Sequence, residues 1–406
     1  MVDWETKPLG ELCEFRRGLT YGKSDEVDVS SNVVLRANNV DLATYTLDLS
    51  DLRYISDSVS VPATKKVRRG SLLICTASGS KSHLGKIAYV DDDYGYAFGG
   101  FMGQITPAPG VNDRYLFHAL TSPAYKGFIE ALSDGVNINN LKFDDLRQFP
   151  VPIPDLDEQQ RIVAILDEAF EGIATAKANA EKNLQNAREL YECQLESLFA
   201  SGDCNWPVRP LAQLATIING YAFKSTDFQR TPGVRSIKIT NVGVRAFVDD
   251  ASNYLPTTFS PLHSGVAVTQ GSIVLALTRS IIAGGLKVAM VPIDFDGALL
   301  NQRVAAIQPH TAQLETAFLF AYLSTRRVMN FVKSRVNTLM QPNLSIGDLR
   351  LLPVPLPALS EQHALVEAVQ RFKEDSQKLE STYVRKLAAL DDLKKSLLHQ
   401  AFTGAL

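Results

Sequence analysis

Apolar and polar positions pass through four successive regimes along this chain, and the whole succession occurs twice. First come short β-branched runs, SLLICTA, KIAYV and GQITP, separated by Gly, Asn and Ser, which predict strands. A denser apolar patch, DRYLFHALTSPAYKGFIEAL, predicts helix. Prolines at 150, 152 and 154 then exclude a helix interior and predict an extended stretch closing off a globular part. Beyond that stretch a single helical stripe runs through Ile162, Leu166, Ala169, Ile173, Ala176, Ala180, Leu184, Ala187, Tyr191, Leu195 and Leu198. The second pass repeats the order: SIVLALT, LKVAMV and VAAIQ, then ETAFLFAYLSTRRVMNFVKSRV, then Pro353, Pro355 and Pro357, then a second stripe from Leu365 to Ala401.

The repeat is explicit at the level of residues, with about 203 positions between equivalents. The frame Trp4, Pro8, Leu9, Leu12, Gly18, Tyr21 returns as Trp206, Pro210, Leu211, Leu214, Gly220, Phe223. VLRANNV, ending at Asn39-Val40, returns as SIKITNV, ending at Asn241-Val242. Gly70-Ser71 and Gly271-Ser272 open matching strands. NNLKFDDLRQFPVPIPDLDEQQ aligns without a gap on PNLSIGDLRLLPVPLPALSEQH, so Glu158-Gln159 falls on Glu361-Gln362.

Asp157 and Ser360 are the expected N-caps of the long helices, with Glu158 and Glu361 favouring the positive helix end. Each helix, of roughly 44 residues, would span about 66 Å. A helix with one apolar stripe cannot bury it alone, so the two are expected to pair. Copy one carries Ala176, Ala180 and Ala187 where copy two carries Leu379, Tyr383 and Leu390, a slim helix beside a bulky one. Antiparallel pairing is the economical choice, since parallel pairing would require the second domain to retrace the rod. Gly172 marks a candidate bend. Ser376 and Lys394 are the two exceptions in the second stripe.

Charge sharpens this picture. Residues 1–150 hold 16 Lys and Arg against 19 Asp and Glu, and residues 151–205 hold 4 against 11. Residues 206–353 hold 14 against 7, and residues 354–406 are balanced at 7 and 7. The second globular half is therefore basic enough to favour phosphate, whereas the acidic first helix should face solvent or protein. Nothing at the start reads as a secretory leader and no window is apolar enough to span a bilayer, so a cytoplasmic location is expected. The four cysteines form no CxxC and read as reduced thiols.

Catalytic chemistry is not apparent. The six histidines never pair at metal-ligand spacing, and there is no P-loop, H-E-x-x-H, G-x-S-x-G or kinase set. The Gly-rich cofactor loop and Asn/Asp-Pro-Pro-aromatic tetrapeptide of a DNA amino-methyltransferase are absent as well. Asp91-Asp92-Asp93 reads as a solvated turn, and Gly79 and Gly284-Gly285 read as turns and not phosphate cradles.

Taken together, the P-L-G-E-L opening, L-R-x-x-N-V, G-S-L-L-I, the D-L-R preceded by Asn-Leu, P-V-P-I-P running into E-Q, the long helix and the closing L-L-H-Q-A-F-T-G-A-L resemble the specificity (S) subunits of type I restriction-modification systems over essentially the whole chain. The resemblance implies an α+β architecture of two tandem mixed α/β target recognition domains, each followed by a long helix, the helices pairing as an antiparallel coiled coil. Its expected divisions are residues 1–154 and 204–357 for the domains and 155–203 and 358–406 for the spacer helices. It further implies that each domain reads one part of a split, asymmetric sequence in double-stranded DNA while the helices fix the spacing. Partners would be two modification subunits carrying S-adenosylmethionine and restriction subunits hydrolysing ATP, with no cofactor and no catalysis in this chain. The alternative reading is a protein-binding scaffold with a helical strut.

Base edges call for forked or amide donors on loops, and phosphates for Lys, Arg, Ser or backbone N–H. In copy one this selects Arg16, Arg17, Tyr21 and Lys23, then Ser78, Ser80, Lys81 and His83, then Asn137 and Asn139. In copy two it selects Asn219, Tyr221 and Lys224, then Thr278, Arg279 and Ser280, then Gln302 and Arg303, then Asn337 and Gln341. Asn39-Val40 and Asn241-Val242 recur in both halves and are expected to be scaffold, and Asp145, Arg147, Asp348 and Arg350 to serve folding or docking.

Overall fold

The structure, a computed structural model, describes residues 4–78, 83–133, 140–201, 206–249, 253–335 and 343–406. The chain divides into two units, residues 1–181 with 385–406 and residues 182–384, so each unit contains one globular domain and part of both long helices.

In the first unit a four-stranded antiparallel sheet has the order Cys13–Arg17, Met102–Pro107, Leu72–Cys75, Ile87–Tyr89. The central strands are apolar on both faces and Leu72, Leu73, Ile74 and Ile105 are fully buried. One face packs on the helices Asp113–Ala119 and Pro123–Ser133, with Tyr115, Leu116 and Leu120 in the core. The expected single helical patch is therefore two helices, broken where Ser122 precedes Pro123. A second small sheet, Glu26–Val27, Arg53–Ile55, Asn32–Leu35 and Ala97–Phe98, covers the other side.

The second unit repeats this plan. Ala215–Asn219, Val304–Pro309, Ile273–Ala276 and Val288–Met290 form its four-stranded sheet, packed on Thr316–Leu323 and Arg326–Arg335. Its second sheet has three strands, Tyr254–Leu255, Val234–Ile237 and Leu299–Leu300, and a hairpin of Ile281–Ile282 with Gly285–Leu286 is added. Gly284-Gly285 sits at the turn of that hairpin.

The proline strings are extended, as expected, and each is also a paired strand. Pro150–Pro152 pairs antiparallel with Thr6–Pro8, and Pro353–Pro355 with Val208–Pro210. Proline is tolerated because these ribbons have only two strands and leave the missing N–H on an open edge. The caps differ from expectation. The first long helix is Leu156–Ser201, and Asp155, not Asp157, accepts the N–H of Glu158 at 2.9 Å. The second is Leu359–Ala401, so Ser360 lies inside it, and the carbonyl of Ala358 takes the first bonds.

Within each unit the two helices run antiparallel. In the first, Arg161 reaches the Leu406 carbonyl and Lys177 pairs with Asp391, so partner numbers fall as residue numbers rise. In the second, Arg188 pairs with Glu380, and Leu195 and Phe199 share a core with Leu365, Val366 and Val369. Ser376, an exception in the stripe, is buried, and its hydroxyl donates to the Ala187 carbonyl at 2.8 Å. Two small residues let the backbones approach there, and Leu379 is displaced to 40% exposure, against its expected burial. Lys394, the other exception, is half-buried with its ammonium over Phe170 and Tyr45. Gly172 interrupts nothing, being an exposed position with open space around it.

A turn following each Asn-Val pair ties domain to helices through a non-glycine residue at positive φ, Tyr45 (58°) in one unit and Arg245 (56°) in the other. Tyr45 packs on Phe117 and Lys394, whereas Arg245 pairs with Glu192 and lies over Tyr191. Beside Tyr45, Asp167 is bonded by Arg114 at 2.6 Å and His118 at 2.8 Å. Burial works to raise the Asp167 carboxyl, but these two donors overcome it and hold it at about 2. Burial also lowers the His118 imidazole despite that carboxylate, so we read His118 as neutral, donating from Nε2. Cys13 and Cys75 are buried thiols and Cys193 an exposed one; Cys204 lies outside the described residues.

Candidate nucleic-acid interface

Three segments converge at one edge of each domain because two glycines permit a backbone crossing. After the strand Cys13–Arg17, Gly18 passes so close to the chain before Met102 that an added Cβ would lie 1.9 Å from the Gly99 carbonyl oxygen. Leu19 then bonds Phe98 across the crossing at 2.7 Å. Gly220 does the same against Asn301, with a Cβ distance of 2.1 Å, and Tyr221 bonds Leu300 at 2.8 Å. The loop leaving the strand Leu72–Cys75 joins this crossing, since Thr76 and Ala77 both donate N–H to the Phe101 carbonyl. In the second unit Leu277 donates to the Arg303 carbonyl at 2.8 Å.

The Asn-Val turns complete the edge as scaffold. Asn39 is buried, accepts the Arg36 N–H and donates to the carbonyls of Asp48 and Asp51. Asn241 is buried, accepts the Lys238 N–H and donates to Val248. A lysine braces each turn from behind, Lys86 on the Val40 carbonyl and Lys287 on that of Ile239, and burial lowers both ammonium groups.

In the first unit the result is a concavity of about 650 Å³. Of the residues selected from sequence, Tyr21, Lys23 and Ser78 line it. Burial, then the nearby Glu26, raises the Tyr21 phenol, which therefore keeps its proton as a donor. Arg36, Asn38 and Phe101 line it too and were missed. The available signal was variation inside a recurring frame: Arg36 and Asn38 lead into the constant Asn-Val, where copy two has Lys238 and Thr240. Arg36 holds Asp51 at 3.2 Å while its Nε is buried without a partner. Arg16 is not brought in, since both arms of its guanidinium clasp Glu14 at 2.9 Å. Arg17 lies over the Phe143 ring, and His83 does not line the concavity.

In the second unit Tyr221, Lys224, Arg279, Gln302 and Arg303 are exposed at the matching places, and Asn219 is exposed at the end of its strand. Tyr221 packs against His263 with ring centroids 4.4 Å apart and planes tilted by 43°. Thr278 and Ser280 are buried, the latter bonding the Leu277 carbonyl, and burial removes both from any reading surface. Arg279 between them points outward from a backbone at φ 49°. Ser80, Lys81, Asn137, Asn139, Asn337 and Gln341 lie outside the described residues, as does Gly79.

Among the described residues no cluster of His, Cys, Asp and Glu could hold a metal, and no helix is long and apolar enough to cross a membrane. The Asp91–Asp93 run is spent locally, Asp91 accepting from Tyr94 and Asp93 from the Arg69 N–H. What the two edges offer is loop-borne guanidinium, ammonium, amide, hydroxyl and aromatic groups, which suits base edges and phosphates.

The comparisons with known proteins agree with that chemistry. The family described as type I restriction modification DNA specificity domain matches residues 1–185 and 204–386. The EcoKI specificity subunit of Escherichia coli is 24% identical over 99% of this chain and 89% of its own length. The StySPI specificity subunit of Salmonella potsdam is 31% identical over 44% of this chain and 39% of its own length. A chain solved in work on complex assembly and conformational transition of the type I R-M system superposes with TM-score 0.77 at 18% identity, covering 99% of this chain and 98% of that one.

Proposed function

Because this chain belongs to the type I restriction modification DNA specificity family, we propose that its two domains each read one half of a bipartite, asymmetric DNA target. It is a non-catalytic, DNA-recognising specificity subunit of a type I system. The observation that carries the proposal is that one scaffold presents different side chains at equivalent positions: Arg36 and Phe101 on one domain answer to Lys238 and Arg303 on the other, and the polar Tyr21 lines the first edge where its counterpart Phe223 is buried in the second. Equal frames with unequal contact residues suit two unlike half-sites. The long helices, continuous over 46 and 43 residues, act as the spacer between them. Two modification subunits carrying S-adenosylmethionine dock on this chain, and ATP-hydrolysing restriction subunits join the larger assembly. The acidic first helix suits protein and not phosphate.

The spacer is tested by deleting one helical turn from both 176–187 and 379–390. Co-expressed with its methyltransferase partner, this variant should modify adenines in the same half-sites with a gap changed by about one to two base pairs, since a turn is about 5.4 Å and a base pair about 3.4 Å. Altered half-sites would refute the spacer. Methylation indifferent to this chain would favour the protein-binding scaffold.

A further inference from the structure

Phe101 is 73% exposed, at the mouth of the first domain's concavity. Its place there is not loose. Its carbonyl accepts the N–H and hydroxyl of Thr76, both at 2.9 Å, and the N–H of Ala77 at 3.2 Å. The backbone is thus held from the neighbouring loop while the ring is left in water beside Tyr21, Lys23 and Arg36. The domain's own core does not use this ring, which is absent from every apolar cluster of the unit. The residues before the strands Met102–Pro107 and Val304–Pro309 are equivalent, so the second domain carries Arg303 at this place. Arg303 is exposed and its carbonyl is held by Leu277 in the same way.

We propose that Phe101 and Arg303 are equivalent specificity-determining residues, Phe101 making an apolar contact with a thymine methyl group and Arg303 forking onto a guanine. This rests on the reading of the two domains as DNA readers. The chemistry comes from the groove: the thymine C5-methyl is the one apolar feature of the major-groove edge, and guanine O6 and N7 match a guanidinium fork. The charge pattern agrees independently. The domain bearing Phe101 holds more acids than bases, 19 against 16, and gains little from phosphate attraction. The domain bearing Arg303 holds 14 bases against 7 acids.

The test uses the full chain with its methyltransferase partner, mapping modified adenines for wild type, Phe101→Ala, Phe101→Leu and Arg303→Ala. Phe101→Ala should relax one thymine position of one half-site and leave the other half-site intact, with the melting temperature unchanged because the ring is exposed. Phe101→Leu should retain most of the preference. Arg303→Ala should relax one guanine position of the other half-site, weakening binding there about 5- to 150-fold. Replacing the affected thymine by deoxyuracil should weaken wild type about fourfold, the value of one methyl group, and leave Phe101→Ala unaffected. A wild-type motif that survives Phe101→Ala unchanged, a uniform loss over both half-sites, or a deoxyuracil effect that persists in Phe101→Ala overturns the assignment alone. A wild-type chain that imposes no motif overturns the functional reading beneath it as well.

Discussion

Gln362→Met should cost the second unit about 3 kcal/mol, although it nearly conserves side-chain volume. Gln362 is fully buried in the first turn of the second long helix. Its carbonyl accepts the Glu315 N–H at 2.8 Å, and its amide donates to the carbonyls of Gln313 and Pro357, both at 2.9 Å. One side chain thereby joins the helix start, the end of the proline strand and the loop that opens the helix Thr316–Leu323. Methionine fills the space but strands one buried donor and removes a partner from two carbonyls, each worth about 1–3 kcal/mol when orphaned. Gln159 repeats the arrangement, accepting from Asn112 at 2.8 Å and donating to Pro154 at 2.9 Å and Gly110 at 3.3 Å. Gln159→Met should therefore destabilise the first unit similarly. Urea unfolding of the full chain, followed by a probe in each unit, should show only the substituted unit's transition moving to lower urea. A shift below about 0.5 kcal/mol would mean that the glutamine is not a clamp.

Gly220→Ala is expected to be as damaging for a different reason. Its Cβ would fall 2.1 Å and 2.4 Å from the Asn301 carbonyl oxygen and carbon and 2.8 Å from the carbonyl oxygen of Leu300, all backbone atoms. The crossing must open, which breaks the bonds between Tyr221 and both Leu300 and Gln302. We expect a loss of about 2–4 kcal/mol together with displacement of Tyr221 from Gln302 and Arg303. Gly18→Ala should do the same to Tyr21 and Phe101, given its 1.9 Å approach to Gly99. Gly172→Ala supplies the contrast, for its site is open and helical, and alanine there should stabilise by about 1 kcal/mol. Thermal melts of the three variants decide between these signs; a neutral Gly220→Ala would contradict the crossing.

Much of the architecture was legible because it is written in local signals. The repeated Asn-Val pairs, the paired proline strings and the 3.6-residue stripes each report a short-range constraint, and Asn39 and Asn241 prove to be the scaffold they resembled. What could not be read depends on contacts far apart in the chain. The alignment of Gln159 with Gln362 gives no hint of their role, since their partners lie 47 residues away at Asn112 and Glu315. The proline strings read as extended but not as paired, because their strand partners, Thr6–Pro8 and Val208–Pro210, lie at the far end of each domain. The stripe places Leu379 inside and makes Ser376 an exception, but close approach at Ala187 reverses them. At the reading edge, alternation places Arg279 outside only once the burial of Thr278 and Ser280 is known. Phe101 escapes notice because an aromatic residue beside a strand ordinarily belongs to a core.

We propose that the two domains act as independent readers on one spacer. This is tested most directly by replacing residues 4–149 with residues 206–352 of the same chain and mapping modified adenines with the methyltransferase partner present. The expected motif holds the half-site of the second domain twice and lacks that of the first. Retention of the original first half-site, or a motif unrelated to either half, would contradict it.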